Sequence, residues 1–184
     1  MPDFGNVCLN TTSSAASFSI DGNNLTGTNI AVAALPGFTY STTAGGTYTG
    51  TLSLSYTGTS FTGKVVYVKF SPTAVQSYSG NIILSGGGVA SYPVAATGAG
   101  VNTLPTVTTG GATLVTGTTA TVAGTLTSVG CGTLVGYGIE YSASSGFPEG
   151  TGTQVPASNL SGGNFSVNLT GLHPIQDIIL KLMA

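Results

Sequence analysis

Residues 64–72 read KVVYVKFSP. Val66, Val68 and Phe70 alternate with Tyr67 and Lys69, so every second side chain is apolar. A repeat of two is that of an extended strand, whose successive side chains point to opposite faces. One face of this segment can enter a core while the other meets water. Working outward, YSGNIILSG (78–86) and SYPVAATGAG (91–100) read as further strands. SGGGVAS (85–91) joins them as a hairpin turn, because glycine tolerates the positive φ such turns need. Upstream, SFSIDG (17–22), NIAVAAL (29–35), FTYSTT (38–43) and TLSLSY (51–56) complete a run of strands bounded by Gly, Pro, Asn and Ser.

About seven strands in about 100 residues suit an immunoglobulin-like sandwich. GAGVNTLPTVTT (98–109) interrupts the pattern with a Gly pair, an Asn and Pro105, and strands resume at Val107. TVTTGG, TATVAGTLTS, LVGYGIEYSAS, TQVPAS and NFSVNLTGL then read as a second set, too few to finish a sandwich. The expected fold class is therefore all-β: two tandem immunoglobulin-like sandwiches, the second incomplete. The expected bounds are residues 1–101, a linker at 102–106, and residues 107–184.

Composition agrees and excludes several functions. A chain of 184 residues holds one or two domains. Only 4% of residues are charged, against about 25% in ordinary globular proteins. Three lysines and no arginine cannot neutralise a run of phosphates, so nucleic acid is not an expected partner. A net charge of -2 gives no electrostatic steering. The 29 glycines disfavour helix. No apolar run approaches the roughly 18 residues of a membrane span, so membrane insertion is not expected. The opening MPDFGNV has neither a basic nor an apolar leader region, so it does not read as a signal peptide. Cys8 and Cys131 fall in different expected domains and are expected as free or buried thiols rather than as a bridge.

FGNVCLNTTSSAASFSIDGNNLTG, VYVKFSPTAVQSYSGNIILSGGG and VAATGAGV resemble the Hydin/ASH-type immunoglobulin-like repeat of large secreted bacterial proteins. Phe4-Gly5-Asn6-Val7, the Phe70-Ser71-Pro72 corner and Thr97-Gly98 carry the resemblance. The second half, from LPTVTTGG to FSVNLTGLHP, is similar to a fibronectin type III-like module. The resemblance covers nearly the whole chain and implies a secreted or cell-surface parent protein. In it the two modules act as a non-catalytic spacer or adhesive stalk. Fold alone does not assign function, since sandwiches host many.

The closing LTGLHPIQDIILKLMA (169–184) departs from that pattern, because such modules continue into an aromatic strand. One nucleotide inserted in the Pro174 codon lets suitably chosen downstream codons read as that strand. Residues 175–184 are thus expected to be a frameshifted remnant of a truncated module. Their alternation, Ile178, Leu180 and Leu182 against Ile179, Lys181 and Met183, still fits the strand slot. One further strand is then lacking, and an unpaired edge invites another chain, so a homo-oligomer through exposed strand edges is expected.

Candidate chemistry is sparse. His173 is the only histidine, and a triad built on it needs Asp177 or Glu149 as the orienting acid, with no G-x-S-x-G elbow present. Glu140 and Glu149 are the candidate carboxylate pair, with Glu140 on a strand whose polar positions are expected to face outward. Asp21 and Asn23 in DGNN offer oxygens to a calcium ion, although the same residues make a good turn. One histidine and two distant cysteines do not form a zinc set, and no cofactor is expected. Tyr48 and Tyr56 are the candidate aromatic strip for a polysaccharide, the reading of a carbohydrate-binding module from a degradative enzyme. A hydrolase fragment is the remaining alternative.

Overall fold

The computed structural model describes residues 2–173 and 179–183. Every regular element among them is a β-strand, and the chain divides into two compact units, Met1–Asn102 and Thr103–Ala184.

In the first unit one sheet runs, in spatial order, β1 (Asp3–Cys8), β8 (Val89–Val101), β7 (Ser77–Gly86), β3 (Ile30–Val32) and β5 (Leu52–Leu54). The other runs β2 (Ala16–Gly22), β6 (Phe61–Phe70) and β4 (Phe38–Ser41). The alternation of 64–72 is realised in β6: Val66, Val68 and Phe70 are fully buried, while Tyr67 and Lys69 on the other face are half-buried. Ile82 and Leu84 of β7 and Val32 of β3 close the core from the opposite sheet, giving an immunoglobulin-like sandwich. The hairpin between β7 and β8 is as read: Gly86 pairs Val89, and the two loop residues Gly87 and Gly88 have φ of 64° and 72°. A two-residue turn with both φ positive matches the strand twist, and only glycine enters it without steric cost.

β1 was not expected as a strand. It pairs parallel with β8, from Asp3 opposite Thr97 to Cys8 opposite Val101, with a bulge between Asp3 and Asn6. The three phrases that carry the family resemblance meet here. Phe70 packs against Phe38 at 5.0 Å, Phe4 at 5.9 Å and Tyr78 at 5.0 Å between ring centroids. Gly98 of β8 lies flat beneath that ring, since a Cβ there would stand 2.7 Å from Phe70 Cε1. Each such aromatic pair adds about 0.5–1.5 kcal/mol beyond its area.

In the second unit β9 (Thr106–Thr113), β10 (Thr119–Ser128) and β13 (Asn164–Thr170) form one sheet, with β10 central. β11 (Gly138–Ser142), β12 (Thr153–Pro156) and β14 (Ile179–Met183) form the other, with β11 central. Val122, Ile139, Phe165, Val167 and Leu169 make the core. On the outer face, cross-strand hydrogen bonds replace apolar contact: Thr121 Oγ1 donates to Asn168 Oδ1 at 2.8 Å and Thr125 Oγ1 to Asn164 Oδ1 at 2.9 Å. The closing stretch takes a strand position, with β14 antiparallel to β11 from Gly138 opposite Met183 to Ser142 opposite Ile179.

Two expectations are corrected. Neither cysteine is a free thiol: Cys8 and Cys131 are both disulfide-bonded. Glu140 does not face outward; it is 0% exposed. The loop between β11 and β12 folds over that face of the sheet, burying Phe147 and bringing Gly152 so close that a Cβ there would stand 2.9 Å from Glu140 Cγ.

Candidate functional site

β2 ends in DGNN, residues 21–24, and this turn is held to its surroundings by polar contacts. Asp21 Oδ1 accepts a hydrogen bond from Gly63 N at 2.6 Å, tying the end of β2 to the start of β6. Asn24 takes the left-handed region at φ 55°, and the next residue, Leu25, plugs into the core at 2% exposure. Asparagine tolerates that conformation better than most non-glycine residues. The loop is then laced to the β7–β8 hairpin: Thr26 N donates to Gly87 O at 2.7 Å, and Gly87 N to Thr28 Oγ1 at 2.8 Å.

Between these elements lies a groove of about 480 Å³ lined by Asp21, Asn23, Phe61, Ser85, Val89 and Tyr92, among others. Asp21 and Asn23, named from sequence as cation ligands, are thus brought to one groove. Among the described residues no three His, Cys, Asp or Glu side chains gather as a metal would need. Tyr92, one of the eight tyrosines the sequence offers for a sugar but not singled out there, is 65% exposed here. No strand-level pattern distinguishes it from the chain's other tyrosines.

Tyr48 and Tyr56 have separate surroundings. The Tyr48 ring carries Lys69 Nζ at 4.5 Å from its centroid, and its hydroxyl donates to Ala44 O at 2.9 Å. Burial, and secondarily Tyr67, hold that hydroxyl above the usual tyrosine range. The Tyr56 ring folds against Phe61 at 5.7 Å, and its buried hydroxyl has no hydrogen-bond partner. Each ring is already covered, by a cation in one case and by the core in the other.

The catalytic candidates disperse. Both oxygens of Glu140 are occupied by backbone, accepting from Gly152 N at 2.6 Å and Gly150 N at 3.1 Å. An unexposed carboxylate so engaged presents no oxygen to a substrate. Glu149 is exposed in the covering loop, and His173 is exposed in the segment after β13. His173 borders a shallow hollow of about 400 Å³ with Tyr141, Ser142 and Thr151. Asp177 lies outside the described residues.

No protein-family model matches the chain. No curated protein matches it. Among solved structures it is similar to the crystal structure of chicken CNTN1 FN1-FN3 domains, with a TM-score of 0.31 and 14% identity. That alignment covers 97% of this chain and 56% of the chicken chain, so the protein spans little more than half of that structure's length.

Proposed function

We propose that the chain is a non-catalytic structural and adhesive module of a large secreted or cell-surface protein, its first unit of the Hydin/ASH type and its second of the fibronectin type III type. One observation carries the reading: three of the five acidic residues, Asp3, Asp21 and Glu140, accept hydrogen bonds from the chain itself. Asp3 Oδ1 accepts from Gly5 N at 3.2 Å and Thr97 Oγ1 at 3.0 Å, Asp21 from Gly63 N, and Glu140 from Gly150 N and Gly152 N. Charge used as a staple supports a mechanical role, because chemistry needs it free to move protons or meet a substrate. Disulfide-bonded cysteines support life in an oxidising compartment. Self-association belongs to the same reading: β14 is an outer strand of its sheet among the described residues, and an open edge is a template for another chain.

The test is turnover by the purified chain on chromogenic esters and glycosides, with Glu140→Gln, Glu149→Ala and His173→Ala run in parallel. The expected outcome is no turnover by any of them. Hydrolysis that disappears with one of these substitutions refutes the reading. Sedimentation velocity over a concentration series tests the edge; a monomer at every concentration removes self-association from the proposal.

A further inference from the structure

We infer that the groove between the DGNN turn and the β7–β8 hairpin binds a neutral saccharide, with Tyr92 as the platform on which a sugar ring stacks. This goes beyond a mechanical role for the first unit. Tyr92 is 65% exposed, whereas the other tyrosines are buried or half-buried. The face of an aromatic ring carries negative charge density, and the C–H groups on one face of a pyranose carry the complementary charge. Val89, 45% exposed on the same strand and lining the same groove, extends the apolar surface beside the ring. Hydroxyls need partners as well. Asp21 uses only Oδ1 on Gly63 N, which leaves its other carboxylate oxygen as an acceptor, and the Asn23 amide and Ser85 hydroxyl share the lining.

Charge selects the ligand class. No lysine lines the groove and one carboxylate does, and the neighbouring Lys64 holds its Nζ over the Phe61 ring at 5.5 Å from the centroid, so phosphates, sulfated sugars and uronates meet the Asp21 carboxylate with no cation in the lining itself. A neutral, hydroxyl-rich ligand meets no such repulsion. The site is also built in advance, which lowers the cost of binding. Gly86, Gly87 and Gly88 set the hairpin, Leu25 anchors the opposing loop, and the backbone bonds of Thr26 and Gly87 join the two.

A β-strand from another protein is the competing occupant, and Pro93 argues against it. β1 reaches β8 only from Thr97 onward, so the stretch from Val89 to Pro93 has β7 as its sole described ladder partner. A strand docking along that edge meets a residue with no N–H to donate. A sugar, which reads the side chains of the groove, is unaffected.

The test is isothermal titration of the intact chain with cellohexaose, xylohexaose, mannohexaose and chitohexaose, and with oligogalacturonate as the anionic comparison. Saturable binding of at least one neutral oligosaccharide is expected, and none of oligogalacturonate. Tyr92→Ala weakens that binding about tenfold or more, while Tyr92→Phe and Tyr48→Ala leave it unchanged. Asn23→Ala, at an exposed rim position, is the second variant and also weakens binding. Unfolding midpoints equal to wild type show that both variants fold. No binding across the neutral panel, binding that survives Tyr92→Ala, or preference for oligogalacturonate overturns the inference. So does a concentration-dependent dimer abolished by Tyr92→Ala, which assigns the groove to a second copy. None of these outcomes bears on the turnover test of the mechanical reading.

Discussion

Glu140→Ala should damage the second unit more than any surface substitution in it. The carboxylate is unexposed and holds Gly152 N at 2.6 Å and Gly150 N at 3.1 Å. Hydrogen bonds to a charged group are worth about 1.5–3 kcal/mol each, about 3–6 kcal/mol for the pair. Truncation also removes one buried methylene, worth about 0.8 kcal/mol. Against this, it relieves the desolvation of a buried charge, a cost of several kcal/mol. Water can reach Gly150, which is exposed, but reaches the half-buried Gly152 less well. The net loss is about 2–4 kcal/mol. In a unit the size of Thr103–Ala184, each kcal/mol moves the midpoint by about 4–8 °C, so Tm for that unit falls by at least about 8 °C. Glu140→Gln keeps the methylenes and one acceptor but turns an amide N–H toward a backbone donor, and should fall about halfway. Calorimetry of the whole chain reads the midpoint, and amide exchange at Gly150 and Gly152 reads the cause. Glu140→Ala melting within about 3 °C of wild type, or unchanged protection at both amides, refutes the reasoning.

Gly98→Ala puts a methyl group 2.7 Å from the fully buried Phe70 ring, which Phe4, Phe38 and Tyr78 hold in place; urea unfolding should report a loss of about 1–3 kcal/mol. Burial pushes the Tyr40 hydroxyl up to about 12, partly offset by the Leu35 backbone, so the folded state holds its proton where the unfolded chain has lost it. Stability from this group is complete below pH 10 and drains as pH rises from about 10 to 12, and denaturant midpoints across that window should fall less steeply in Tyr40→Phe. At neutral pH Tyr40→Phe should stay close to wild type, because the Leu35 backbone, the buried hydroxyl's polar neighbour, does not complete a well-formed hydrogen bond with it. Thiol titration in denaturant should find no reactive cysteine until a reductant is added, and reduction should lower the unfolding temperature.

The sequence alone was enough for the strands whose two faces differ. The β6 alternation, the Gly87-Gly88 hairpin and the TATVAGTLTS strand are local statements, written in side-chain period and in the φ that glycine permits. The closing stretch also kept the period that a strand slot needs. β1 escaped because its neighbour is distant in the chain and its bulge, with Gly5 at φ 58°, breaks the alternation. Glu140 was misread for a related reason. In β11, Gly138, Ile139 and Glu140 are all buried, so both faces are covered, and a rule that assumes one wet face places the acid outside. Which face is wet is settled by the loop that folds over it. The groove has the same origin: DGNN and Tyr92 are far apart in the chain, and only sheet pairing brings them together. Periodicity reports the geometry of one strand, whereas burial and proximity depend on which other segments the folded chain lays against it.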